Sequence, residues 1–169
     1  LMDRVFRDDS PEAQVLLGAM QARQGNTAGA IEMYEKALAA NPRMPLANFL
    51  HGQCLLEKSD WAGAAAAFRR EVEIDPNHFE ATLMLGNLLR KEGRHEEALS
   101  YLLRAARQNG SDTAVKFALG ATYVALERTA EGVPLLEEVR AARPDHLPTH
   151  MQLAVAYTRL GRTEDATRE

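Results

Sequence analysis

The sequence predicts an all-α fold of tandem helix–turn–helix units, and three observations carry that expectation. Ala and Leu supply 50 of the 169 residues while Val and Ile supply 10, so strong helix formers far outnumber the β-branched residues that strands favour. A period of 34 residues runs through the chain. Chain-breaking residues recur in phase with it. The period shows in four series: Pro42, Pro76, Gly110 and Pro144; Gly18, Gly52, Gly86 and Gly120, continued by Ala154; Ala30, Ala64, Ala98, Gly132 and Ala166; and Tyr34, Phe68, Leu102 and Leu136. Self-similarity of this length is the mark of a stacked repeat array.

Each element follows from those breaks. With Pro11 as position 1, a first helix is expected at 11–24, closed by Gly25, a residue that reaches left-handed backbone angles. A second follows at 27–40. Asn41-Pro42 stops it, because proline cannot continue a helix and restricts the residue before it. The same reasoning gives 45–58 closed at Ser59 and 61–74 stopped by Asp75-Pro76. It then gives 79–92 closed at Gly93, and 95–108 ahead of Gly110. The next pair is 113–126 closed at Glu127, the weak member of its series, and 129–142 stopped by Arg143-Pro144. Helices at 147–160, closed at Gly161, and from 163 onward complete the chain. Small residues at positions 8 and 20 let paired helix backbones approach closely, and the aromatic or Leu at position 24 fills the space beside them.

The combination of Leu-Gly at 7 and 8, Ala at 20, an aromatic residue at 24 and Pro at 32 resembles the tetratricopeptide repeat, whose length is also 34 residues. Leu17-Gly18, Ala30, Tyr34 and Pro42 carry it first. Gly52, Ala64, Phe68 and Pro76 follow, then Leu85-Gly86, Ala98 and Leu102, then Leu119-Gly120, Leu136 and Pro144. The family's frequent Trp at position 4 is missing, and His51 stands where Leu is usual. The resemblance implies a right-handed α-solenoid with units at 11–44, 45–78, 79–112 and 113–146 and a partial unit at 147–169. Residues 1–10, with Leu1, Val5 and Phe6 at helical spacing, read as the tail of a preceding repeat helix. Both ends read as cuts in a longer array.

Composition narrows the function. Twenty Lys and Arg stand against 24 Asp and Glu for a net charge of −4, and there is one cysteine, Cys54; a disulfide framework is excluded. No apolar run approaches the roughly 18 residues that a bilayer span requires, so no membrane insertion is expected. His51 and Cys54 lie three residues apart, but zinc needs about four ligands, and both fit core positions better. His146 and His150 straddle Pro148 at a helix start and read as surface residues. No phosphate loop, nucleophile elbow or metalloprotease helix is present. The expectation is therefore no catalytic residue, no metal and no cofactor. Basic residues near the ends of second helices (Lys36, Arg69, Arg70, Arg104, Arg107, Arg140) suit the helix dipole better than a nucleic-acid surface, for which the chain is too acidic.

In the family geometry, positions 2, 5, 6, 9, 12 and 13 of each first helix point into the concave side, and positions 5, 9 and 12 supply the main candidates. The residues so placed are Val15 and Ala19; Phe49, Gln53 and Leu56; Leu83, Asn87 and Arg90; Phe117, Ala121 and Val124; and Met151 and Val155. Position 6 is also largely apolar, with Leu16, Leu50, Met84 and Ala118. Such a lining suits an apolar peptide or amphipathic helix, although packing between neighbouring first helices would use the same residues. The family's two-carboxylate clamp, with Lys at position 5 and Asn at 9, is disfavoured, because no repeat has Lys at 5 and Asn87 accompanies Leu83. The implied function is a non-catalytic scaffold for a protein or peptide partner. Its rivals are the substrate-recruiting arm of a larger enzyme such as a glycosyltransferase, and a self-assembly module. Homo-association through uncapped ends is expected to use Leu153, Tyr157, Leu160 and Ala166, or Leu1, Val5 and Phe6.

Overall fold

The structure, a computed structural model, describes residues 9–169; Leu1, Val5 and Phe6 lie outside the described residues. Among these there are ten helices and no strand. They are α1 (Pro11–Arg23), α2 (Thr27–Ala40), α3 (Ala47–Glu57), α4 (Trp61–Ile74), α5 (Phe79–Lys91), α6 (His95–Asn109), α7 (Thr113–Ala125), α8 (Thr129–Ala142), α9 (Leu147–Arg159) and α10 (Thr163–Arg168). The bounds lie within one residue of those expected, except that α3 starts two residues late. There Leu46 takes a left-handed φ of 63°, which helical backbone cannot include. α8 runs through Pro134. The carbonyl that this proline frees, Ala130, sits on an exposed residue, where water satisfies it.

The first helix of every pair ends the same way. Gly25, Ser59, Gly93, Glu127 and Gly161 all have φ between 61° and 78°. The next amide then donates back five residues, from Asn26, Asp60, Arg94, Arg128 and Arg162 to the carbonyls of Gln21, Leu55, Leu89, Tyr123 and Tyr157, each at 2.9 Å. This bond captures a carbonyl that the helix end would leave unpaired. Ser59 and Glu127 hold the same angle as the three glycines and carry its steric cost of roughly 1–2 kcal/mol. Ser59→Gly and Glu127→Gly should each stabilise the fold by about 0.5–1 kcal/mol, after the entropy cost of glycine. Urea midpoints check this; unchanged or lower midpoints would contradict it.

Seven of the ten described helix starts follow one of two patterns. Ser10, Asn26, Asp60 and Asp112 accept from backbone amides at 2.8–3.2 Å, satisfying orphan donors. At α6, α8 and α10 the capping residue is instead Arg94, Arg128 or Arg162, each paired with an acid three residues on: Glu97, Glu131 or Asp165. These pairs are surface-exposed and contribute little, about 0–1 kcal/mol each.

The chain divides into two compact units, Leu1–Ala81 and Thr82–Glu169. In the first, α1 closes on α2 where Gly18 meets Tyr34, and α3 on α4 where Gly52 meets Phe68. A Cβ at either glycine would lie 2.7 Å from the ring. Tyr34 and Phe68 are wholly buried. Ala30, Tyr34 and Cys54 form a core with Val15, Ala22, Ile31 and Leu50 against it. The start of α3 has no capping side chain of its own. The buried Glu71 of α4 supplies one across the pair, accepting from the amides of Leu46 at 3.3 Å and Phe49 at 3.2 Å.

In the second unit Leu replaces the aromatic residue. A Cβ on Gly86 or Gly120 would lie 2.7 Å from Leu102 or Leu136. Val124, Val133, Leu136, Leu153, Ala156 and Tyr157 form the core, with Phe117 and Ala166 packed on it. This corrects the expectation for the last helices: Leu153 and Tyr157 are 0% and 1% exposed and are not available for association. Leu160 is exposed as expected, and exposure falls further on Leu147, Met151 and Val155.

His150 lies at the surface as expected, but it is held there on both ring nitrogens. Its Nδ1 lies 2.5 Å from Glu169 Oε2 and its Nε2 2.7 Å from the Pro144 carbonyl oxygen. With an acceptor at each ring nitrogen the imidazolium is favoured, so the Pro144 carbonyl first, and Glu169 second, raise its pKa. Arg140, which also binds Glu169, opposes this. A raised histidine pKa contributes stability that is complete below about pH 6.5 and is lost as pH rises through the raised value. The hydrogen-exchange protection of α10 should fall across that window, and His150→Gln should flatten the profile. Protection that rises with pH would contradict the assignment.

Candidate functional site

In the first unit the expected lining residues Val15, Ala19, Phe49, Gln53 and Leu56 are all half-buried. The ring of Phe49 is tilted against Phe68 at 5.8 Å and His78 at 4.5 Å. Part of its surface is thus spent on packing. Leu16 and Leu46 are more open, at 48% and 51% exposed. His51 and Cys54 sit in core positions, where burial lowers the imidazole pKa and raises that of the thiol. Glu35 is 3.9 Å from His51. Among the described residues no three His, Cys, Asp or Glu gather as a metal site would require.

In the second unit Leu83, Asn87, Arg90 and Phe117 are half-buried, and Met151 and Val155 are exposed. Ala121 and Val124 do not fit the groove expectation. They are 3% and 2% exposed, and Val124 belongs to the core around Leu136 and Tyr157. The physical reason is the one that competed with the groove in the sequence: positions 9 and 12 of α7 serve helix packing. Phe117 meets His146 edge-on at 5.1 Å, and the Arg90 guanidinium lies 5.8 Å from the centre of its other contact, the same ring. His146 in turn holds Thr149 Oγ1 at 2.6 Å.

Two features escaped the sequence reading. Phe49 with His78 and Phe117 with His146 occupy the same two register positions, 5 and 34, two repeats apart. A doubled period in the histidines was the available signal. Position 6 is more open than position 5 in two of the repeats, where Leu16 and Met84 are 48% and 37% exposed; Leu50 is half-buried like Phe49, and Ala118 at the same position is buried. Its apolar run was visible, yet the weight fell on 5, 9 and 12. The exposed apolar residues of the first helices are thus Leu16 in the first unit, and Met84, Leu147, Met151 and Val155 in the second.

Comparison with known proteins agrees with the geometry. Two sequence models described as tetratricopeptide repeat match, one over residues 2–43, 21–79 and 117–168 and the other over 55–121. Anaphase-promoting complex subunit 3 of Schizosaccharomyces pombe is 24% identical over 114 residues, which are 68% of this chain and 17% of that protein. The chain thus spans under a fifth of that curated relative. Among solved structures, YrrB, described as a TPR protein with an unusual peptide-binding site, superposes with a TM-score of 0.89 at 20% identity, over 99% of this chain and 87% of that one. MamA of Desulfovibrio magneticus RS-1 superposes with a TM-score of 0.83 at 20% identity, over 95% and 91%.

Proposed function

The chain belongs to the tetratricopeptide repeat family, and from that premise we propose that it is a non-catalytic scaffold that binds a peptide segment through the open apolar side of its first helices. One observation carries the reading. Leu16, Leu50 and Met84 stand at a single register position, 34 residues apart, and two of the three are more than a third exposed. Isolated apolar residues on a surface need no explanation, but recurrence at one position of a repeat does. In the first unit the half-buried Val15, Ala19, Phe49 and Leu56 share the first helices with these residues and Gln53 offers an amide; in the second, Leu83, Phe117 and the amide of Asn87 do the same. An apolar or amphipathic segment is the ligand that such a surface suits.

The test is selection from a random library of 12-residue displayed peptides on the full chain. Recovered peptides should carry apolar residues, and Met84→Glu should weaken them about tenfold or more, while Leu103→Glu on the second-helix side should not. Equal loss from both variants would place binding elsewhere. A second reading, self-association, is favoured by the stripe of Leu147, Met151 and Val155 on α9, 73%, 67% and 44% exposed. Met151→Glu should then abolish any concentration-dependent mass in sedimentation; association that persists would exclude this face.

A further inference from the structure

Arg90 lies in the last turn of α5. It is half-buried, and its Nε is closed to water with no acceptor in reach. Among the described residues no carboxylate pairs with it. Burial alone pulls its pKa down, and no acid pushes it back. This sets Arg90 apart from Arg94, Arg128, Arg140 and Arg162, each of which has an acidic partner. Its guanidinium lies over the face of Phe117 at 5.8 Å, and a cation over an aromatic ring recovers only part of what desolvation of a charge costs. Asn87 stands one turn earlier on the same face of α5, and its amide has no partner among the described residues. Leu83 and Met84 lie a further turn back.

The arrangement suits an anion. A carboxylate matches it best, since guanidinium and carboxylate pair by parallel charge-assisted hydrogen bonds. With Nε sealed, only the terminal Nη groups can donate. Leu83 and Met84 on one side and Phe117 on the other let a bound segment continue across Arg90, so the carboxylate comes from a side chain and not from a chain end. Seven residues of helix separate Leu83 from Arg90, a rise of about 10 Å. In an extended peptide that is a spacing of about three residues.

We propose that Arg90, with Asn87 and the ring of Phe117, is a subsite for a glutamate or aspartate of the bound peptide, placed about three residues from an apolar residue seated on Leu83 and Met84. The proposal rests on the peptide-binding reading above and names the class of peptide that reading left open.

The same displayed library tests it. Selection on the unaltered chain should enrich an acidic residue about three positions from an apolar one. Selection on Arg90→Met should lose the acid and keep the apolar residue, and selection on Arg90→Glu should exchange the acid for Lys or Arg, a reversal that a merely structural role would not produce. For a selected peptide made with an amidated C-terminus, Glu→Gln should weaken binding about tenfold or more on the unaltered chain and less than about twofold on Arg90→Met. Binders with no acidic preference, a preference that survives Arg90→Met, or binding that needs a free C-terminus would each overturn the subsite and leave the peptide-binding reading standing. A library with no binders would overturn that reading instead. Titration with propionate against propionamide, followed at the Arg90 Nε–H resonance, then decides the subsite alone: a shift with propionate only supports it, and no shift overturns it.

Discussion

Phe68→Ala is expected to destabilise the chain by about 4 kcal/mol, within the range of roughly 3–5 for a buried aromatic residue. The ring is 0% exposed, and its Cε1 is 2.7 Å from where a Cβ on Gly52 would stand. The α3 residue that faces the ring, Gly52, has no side chain to fill the space, and the half-buried Phe49 borders it from another side. The same geometry fixes the sign of a companion change. Gly52→Ala alone should cost about 1–3 kcal/mol by overpacking, yet in the Phe68→Ala background it should be neutral or stabilising, since the added methyl enters the vacated space. Urea denaturation of the two single variants and the double variant measures the coupling. Simple additivity would mean that the two residues do not oppose each other.

Glu71→Ala is the second large effect, about 2 kcal/mol. The carboxylate caps the N-terminus of α3 from a different helix, and its loss leaves the amides of Leu46 and Phe49 without acceptors at the positive end of the helix dipole. Glu71→Gln keeps one acceptor oxygen and should cost about half as much. Hydrogen exchange at Leu46 and Phe49 should quicken in both variants, while exchange at the start of α7, where Asp112 is the cap, stays unchanged. A loss of stability without that local quickening would point to packing as the role of Glu71.

The fold was legible because its punctuation is local. Pro42, Pro76 and Pro144 follow the last helical turns of their repeats and stop them, whereas Pro134 lies within α8, and Gly25, Gly93 and Gly161 take the left-handed turn at little cost. Ser59 and Glu127 show the limit: the bond from the following amide imposes the same angle on residues that do not favour it, so position in the repeat outweighs residue preference. The start of α3 was not legible, since its cap comes from Glu71, 25 residues beyond Leu46. The candidate site was read only in part. Register places a residue on a face but not at a depth. Phe117, Ala121 and Val124 share one face of α7, yet Phe117 is half-buried while the other two are core. Leu153 and Tyr157 were misplaced for the same reason. Arg90 was legible as a lining residue, but its half-buried setting without an acidic partner among the described residues was not, because absence across a fold cannot be seen along a chain.

Photo-crosslinking tests peptide binding at the first helices most directly. Met84 on α5 and Leu103 on α6 are both 37% exposed, so benzoylphenylalanine at either position is equally open to solvent and differs only in the side of the repeat that it reports. A library-selected peptide should crosslink to the chain labelled at position 84 and not to the chain labelled at 103. Crosslinking at 103, or equal yields from both, would contradict the account.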